Sequence, residues 1–509
     1  MLRLSRLLRP KHSSYELLST DGEHRPRSVR PSRFSRYQFL RRILHFRCFC
    51  ICVIVIITFF VCAILFSGVP SLYGDVRRFE HILPQHNLNF AQHSNVKYIS
   101  FPDHIWGHGW NNVLQQYLMF SYLAYLTNRS FVFEDYTWSH LPSPYTIYDF
   151  ALRPTRIPLN AYISGPTAGG SMDNAPESPP RAVSFDFWQT VCPSSDRHVI
   201  DSVNAPRDLA GPDRIRWWKE KIKSYHDVTC LEVATSQNEI FDFEFFGSQQ
   251  ILDVWPSLSQ SPILTRFKWS PLVLSAIERN FALLPNIPEV GESALPQHQS
   301  LDTSQQASST VSSPLARSTY PALLAVHIRR GDFKRHCSNL AEWGPGFHGF
   351  NSFQGLPDHW TSYSGSSMEE KREYYRKRCL PNQEEIVERL HNVRQDHDEF
   401  LSNQTDASIS GSGSPSSGHK LRRVFVLTNA WPVWQDGLKK KLMADGWEDV
   451  VVSEDLTLDK EQKGVNVAVD MSIAERAEVF VGNGFSSLSG VIIMLRLSNG
   501  LPFQVNRFL

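Results

Sequence analysis

Strands alternate with helices on both sides of a Pro/Ser-rich linker, and this predicts an α/β chain of two doubly wound domains facing each other across a cleft. Two stretches carry the prediction. Pro321–Asp332 (PALLAVHIRRGD) is an apolar, β-forming run that ends abruptly in charge, and Val479–Leu497 reads as strand, glycine turn and apolar helix. At 509 residues the chain is also too long for one ordinary domain. A single transmembrane helix is expected ahead of both domains. Cys48–Val69 (CFCICVIVIITFFVCAILFSGV) holds 22 residues without a charge. As a helix it spans roughly 33 Å, enough for a bilayer core of about 30 Å.

The net charge of +1 hides an asymmetry. Residues 1–47 carry twelve Lys/Arg against three acidic residues, which leaves the rest at −8. An acidic body argues against a nucleic-acid partner. Arg41, Arg42 and Arg47 crowd the N-terminal side of the span, so the tail 1–47 stays cytoplasmic and the body crosses, a type II arrangement. Four of the eight cysteines (Cys48, Cys50, Cys52, Cys62) lie in or beside the span. The other four lack C-x-x-C spacing, which disfavours zinc. An oxidising lumen permits two disulfides among them in any of three pairings, and sequence proximity suggests Cys192–Cys230 and Cys337–Cys379. Asn128 and Asn403 head glycosylation sequons, the second in a polar loop by composition.

In chain order, 70–95 reads as a stem and 96–285 as the N-terminal Rossmann-like domain on the acceptor side. It opens with strand Val96–Phe101, the turn GHGWNN at 107–112, an apolar helix from Val113 to about Leu126 and the strand Ser130–Glu134. Residues 272–284 form an amphipathic helix. Pro, Ser, Thr and Gln dominate 286–320, a flexible linker. The C-terminal domain, 321–509, continues with a charged helix over Glu369–Leu390, a flexible insertion at 402–420, strand Arg423–Thr428, helix Pro432–Asp445 and strand Asp449–Ser453. A helix through Ala468–Arg476 precedes the last strand, turn and helix.

Ligands of open α/β sheets bind outside the carboxyl ends of the strands. Arg329 and Arg330 at such an end offer planar forks that match phosphate oxygens, although surface ion pairing is the plainer role for an isolated Arg-Arg-Gly-Asp. In Gly482–Ser489 (GNGFSSLS) the glycines let backbone amides approach an anion, and Ser486 and Ser487 can cap the helix or donate hydroxyls. Asp470 reads either as an N-cap, with Ser472 and Glu475 as a capping box, or as a carboxylate that accepts two hydrogen bonds from a purine edge. Asp242-Phe-Glu244 and Asp396-His-Asp398 imitate metal-binding acidic motifs, but packing or surface roles suit them better.

Together, His-x-Arg-Arg-x-Asp at a strand end, the DxxxAxxAxxFVGNxxSS-like segment and an early Gly-x-Gly-Trp-Asn before a helix resemble the GDP-fucose-dependent fucosyltransferases. The protein O-fucosyltransferases are the most similar, and His-x-Arg is shared with the α1,6-fucosyltransferases. The resemblance runs discontinuously over about residues 97–500. It implies a GT-B-like fold, GDP-fucose as donor, a protein or glycan hydroxyl as acceptor, inversion at the sugar carbon and no cofactor or metal. It also implies a body in the lumen of the Golgi or endoplasmic reticulum. Residue by residue, Arg329 resembles the arginine that holds the β-phosphate and assists departure of GDP. His327 resembles the nucleotide-contacting histidine, Asp470 the guanine-binding aspartate, Ser486 and Ser487 the phosphate pair, and Asn111 the asparagine of the first motif. Gly109, Arg330 and Asp332 flank these positions. One branch of the family has a glutamate where this chain has His108, so the general base is open between His108, Glu134 and Asp135. Two other readings fit the same residues: a transferase using another GDP-sugar, and a catalytically silent, membrane-anchored nucleotide-sugar-binding protein.

Overall fold

The computed structural model describes residues 33–67, 71–102, 108–148, 151–172, 179–206, 208–234, 239–284, 319–331, 333–409 and 418–509. Asp332, Gly107, most of the linker, most of the basic tail and residues 410–417 lie outside them. The N-terminal helix and the body that begins after it are separate units. Helix α1 (Arg33–Ser67) contains an apolar window, His45–Cys62, whose one charged residue is Arg47 at its start and which is long enough to cross a membrane.

The body is a mixed α/β structure built on two five-stranded parallel sheets. Residues 71–95, expected to be a stem, are instead folded onto it. Helix α2 (Gly74–His81) follows Tyr73, which is buried and donates its hydroxyl to the Glu461 carbonyl at 3.1 Å. Arg77 of α2 grips Asp135 through two hydrogen bonds, one of 2.7 Å.

Strands β1 (Tyr98–Ser100), β2 (Ser130–Phe133), β3 (Val183–Ser184), β4 (His198–Asp201) and β5 (Cys230–Ala234) form the first sheet in the order β3-β2-β1-β5-β4. Helix α3 (Trp110–Leu126) connects β1 to β2 and is buried along almost its whole length, which is why its sequence is apolar on every face. The Cys192–Cys230 disulfide ties β5 to the segment ahead of β4. Helices α4 (Gln249–Leu258) and α5 (Pro271–Arg279) complete this half.

The second sheet contains β6 (Tyr320–Ile328), β7 (Arg423–Thr428), β8 (Asp449–Val452), β9 (Ala477–Gly482) and β10 (Asn506–Phe508), ordered β8-β7-β6-β9-β10. Counted from β6 this is 3-2-1-4-5, so the order reverses between β6 and β9. Around the sheet lie α6 (Phe333–Trp343), α7 (Met368–Cys379), α8 (Gln383–Ile409), α9 (Pro432–Ala444), α10 (Asn466–Arg476) and α11 (Ser487–Ser498). The charged helix expected over 369–390 is two helices broken at Leu380-Pro381, because proline cannot supply the interior N–H. Helix α8 then runs to Ile409, so Asn403 stands exposed on a helix and not in a loop. The Cys337–Cys379 disulfide joins α6 to α7, as sequence proximity suggested.

Side chains alternate across the sheet with a period of two. Leu324, Val326 and Ile328 pack with Ile386 and Leu390 of α8 and with Leu438 and Leu442 of α9. Leu323 and Ala325 belong to the core shared with Val469 and Ile473 of α10 and Val491 and Ile492 of α11. That core continues without a break into the first half, through α3 and α5, which pack against α11 and α10.

Candidate active site

The period of two extends past the end of β6 and separates the two arginines. His327 turns toward α11, with Nδ1 2.9 Å from the Ser489 hydroxyl. Two residues on, the Arg329 guanidinium lies over the Phe333 ring, 5.6 Å from its centre. Arg330 turns to the other face. It stacks on Trp434 at 4.3 Å and donates to the Pro381 carbonyl, and its backbone N–H donates to Asn429 Oδ1 at 2.7 Å. Burial, helped by the nearby Arg376 charge, lowers its pKa to about 10. Two guanidiniums on one phosphate was the simple sequence reading, and the structure points them to different places.

His327 is buried, and burial together with the Arg329 charge pushes its pKa down to about 3, so the ring is neutral. The Ser489 hydroxyl accepts the Asn483 N–H at 2.9 Å and shares a second hydrogen bond with His327 Nδ1, whose direction follows the imidazole tautomer. A Cβ on Gly482 would come within 3.0 Å of Ser489, so glycine is what allows β9 and α11 to close on this contact.

The 483–489 turn starts α11 at the carboxyl end of β9, beside the end of β6. Ser486 occupies the N-cap position and is buried, but no side chain caps the helix. The sequence suggested Ser486 as a capping hydroxyl. The structure leaves the first amides of α11 uncapped, and such amides with the helix dipole behind them are suited to an anion. Ser487, half-buried, is the first residue of the helix. Behind the turn, Asn483 Nδ2 donates to the Cys379 carbonyl at 2.7 Å. Asn351, to which no sequence motif pointed, donates to the carbonyls of Gly484 and Ser486 at 2.9 and 3.0 Å.

Asp470 is no N-cap. It lies in the second turn of α10, whose N-cap is Val465, and its Oδ2 accepts from the Ser453 hydroxyl at 2.7 Å. Burial raises its pKa to about 7 against the opposing pull of that hydrogen bond. The residue still keeps some exposed surface. A carboxyl enclosed by protein that nonetheless touches solvent is what the floor of a crevice presents. Ser453, which follows β8, is a second residue that no motif pointed to.

In the first half, Gly109 is the N-cap of α3 and Asn111 lies in its first turn, buried, with Oδ1 lacking a hydrogen-bond partner. Gln115 Oε1, one turn further, is in the same state. The His108 ring packs against Phe243 at 4.4 Å, and its carbonyl accepts from the Tyr136 hydroxyl at 3.1 Å. Asp135 is held by Arg77, and both line, with Glu134, Glu80, His140 and Asp186, a polar cavity of about 440 Å3. Burial carries Glu80 to about 7 despite Arg77 beside it. A cavity of about 1050 Å3 includes Lys97, Tyr98, Asn128 and Ser130. Those residues sit where β1 and β2 begin, the edge opposite the strand ends, so it takes no part in the site. Asp242 caps a short helix by accepting the Phe245 N–H, and Asp396 pairs with Arg507, which are the packing and surface roles expected of the two acidic motifs.

The order reversal between β6 and β9 and the uncapped helix start beside it mark a doubly wound α/β protein with a candidate ligand site at the strand ends. No family model matches the chain, and no curated protein matches it in sequence. Several solved structures match it over most of its length. It is similar to POFUT1 crystallised in complex with GDP-fucose, at 15% identity and a TM-score of 0.46 over 81% of this chain and 98% of that one. It is also similar to NodZ α-1,6-fucosyltransferase soaked with GDP-fucose, at 11% identity and a TM-score of 0.32 over 79% and 92%. A mutant of Arabidopsis thaliana FUT1 in complex with GDP gives 10% and 0.32 over 84% and 78%.

Proposed function

We propose that the protein is a metal-independent, inverting glycosyltransferase that moves fucose from GDP-fucose to a hydroxyl of a protein or glycan in the secretory pathway, anchored by α1. The observation that carries this reading is the convergence of two sequence-distant segments. The strand end bearing Arg329 and the uncapped start of α11 meet at one switch point, linked by the His327–Ser489 hydrogen bond. Breaking the sugar–phosphate bond builds positive charge on the sugar and negative charge on GDP. Fixed donors at the diphosphate are therefore the main lever on rate. Arg329 and the amides of Ser487 and its successors supply them, with the Ser486 and Ser487 hydroxyls beside them. His327 contacts the nucleotide, and Asp470 accepts from guanine. Asn111 and Gly109 face the acceptor, and His108 takes the acceptor proton. Arg330 braces the β6 end from the opposite face.

Arg329→Ala should abolish GDP-fucose turnover while the protein still melts cooperatively, and undiminished turnover would defeat the assignment. A donor panel separates the remaining readings. GDP-fucose should raise the melting temperature and UDP-galactose should not, because saturation at a hundred times Kd adds about 2.7 kcal/mol, and turnover then separates GDP-fucose from GDP-mannose. A silent binding protein would show stabilisation by GDP without hydrolysis of any donor. Turnover in excess EDTA checks that no metal is required.

A further inference from the structure

The 346–353 segment (GFHGFNSF) joins the first half of the body to the turn at the head of α11. On one side it is seated on the first half. Phe350 and Phe353 pack edge-on against Trp255 of α4, with centroids at 5.8 and 5.3 Å. Gly349 adopts a φ of +44°, and a Cβ there would fall 2.0 Å from the Phe246 carbonyl oxygen. On the other side it holds the turn. The His348 N–H donates to the Gly484 carbonyl at 2.8 Å, and Asn351, 1% exposed, donates to the Gly484 and Ser486 carbonyls. A trans peptide is planar, so its C=O and N–H point opposite ways. The Ser486 carbonyl, which also accepts the Gly490 N–H at 3.2 Å, is thus held on the Asn351 side, and the Ser487 N–H points away from it, out of the helix start.

We propose that Asn351 is a positioning residue for the diphosphate, fixing the plane of the Ser486–Ser487 peptide so that the first amides of α11 are aimed before the donor arrives. Gly349 makes this aim depend on the first half of the body. The inference rests on reading 483–489 as the diphosphate site. It goes beyond that reading by naming what sets the geometry from outside.

The test uses the full-length protein in detergent, with GDP titrated at a temperature well below every melting point, and amide hydrogen exchange followed over 483–490 without nucleotide. Asn351→Leu keeps the volume and removes both donors, while Asn351→Asp sets a carboxylate against two carbonyls. Each should speed exchange in the turn and raise the GDP Kd by roughly tenfold to a hundredfold, the worth of one hydrogen bond to a charged group, with aspartate the worse. Asn280→Leu is the control. Asn280 is equally buried and bonds the carbonyls of Ala276 and Thr457, far from the turn in the chain. It should lower the melting temperature and leave the Kd alone. Asn351 variants that bind GDP as wild type does, with unchanged exchange, would overturn the role of Asn351 and leave the diphosphate site standing. Wild-type protein that fails to bind GDP would overturn the diphosphate site, and this role with it.

Discussion

Arg329 and Arg330 are neighbours with separate tasks, and the separation is measurable. Arg330→Ala removes a cation–π stack and a charged hydrogen bond to a carbonyl. It should destabilise the protein by about 2 kcal/mol in a denaturant titration while the GDP-fucose Kd stays unchanged. A lost Kd with unaltered stability would reverse the assignment. Asp470 gives a prediction in pH. Its pKa rises from 3.8 to about 7 on folding, so the native state binds the extra proton between those values. Its contribution is complete below 3.8 and is lost as pH rises through about 7. Asp470→Asn should therefore melt higher than wild type at pH 8, with the gap closing toward pH 5, while GDP discrimination is lost. His327 tilts the other way, since its depressed pKa removes stability as pH falls from 6.5 toward 3, but both proteins share it and it cancels. An equal gap at both pH values would show that Asp470 does not titrate as described. At this scale the sequence was legible where chemistry is local: the run into Arg329 and the glycine turn at 482 both sit at strand ends. Asn351 was not, because its partners lie 133 and 135 residues away and its meaning exists only after folding. The divergence of Arg329 and Arg330 was within reach, as strand alternation alone predicts it.

Among the elements, α2 changes the picture most. A stem was inferred from 70–95, yet Tyr73, the Arg77–Asp135 pair, Gln85 donating to the Gly169 and Ala182 carbonyls, and His86 stacked on Phe187 dock 71–95 onto the body. Tyr73 sits at a φ of +58°, a conformation unusual for a bulky residue, and its buried ring and the hydrogen bond to Glu461 hold it there. Tyr73→Ala should cost about 3 kcal/mol. A chain truncated before Ser71 should be secreted and folded, and one truncated before Val96 should not. Equal yields and melting points would show that the docking contributes nothing. The Cys337–Cys379 bridge also reaches the site, because the Cys379 carbonyl anchors Asn483. Each disulfide closes a loop of about forty residues and should contribute about 4 kcal/mol by chain entropy. Replacing both cysteines of the Cys337–Cys379 pair by serine should in addition weaken GDP binding, and the same change at Cys192–Cys230 should not. Strand and helix existence followed the sequence closely. The helix break at Leu380-Pro381 was signalled by the proline and overridden by the surrounding charge pattern.

In the whole molecule, two sheets do not make two independent bodies. Composition placed a boundary at 286–320, and the linker does separate the sheets in sequence. But α3 packs on α11 and α5 on α10, and one apolar core runs through both halves. Calorimetry on the body should give a single transition with matching calorimetric and van't Hoff enthalpies, and two resolved peaks would contradict this shared core. Periodicity reveals which face of a helix is apolar but not which sheet that face meets, so this fusion was not readable beforehand. The cross-link behind the anion turn bears on how the protein is prepared. Thioredoxin and glutathione in an ordinary bacterial cytoplasm keep thiols reduced, so recombinant material from that source would carry the right sheets around a slackened turn. Its silence in a transfer assay would report the host cell and not the protein.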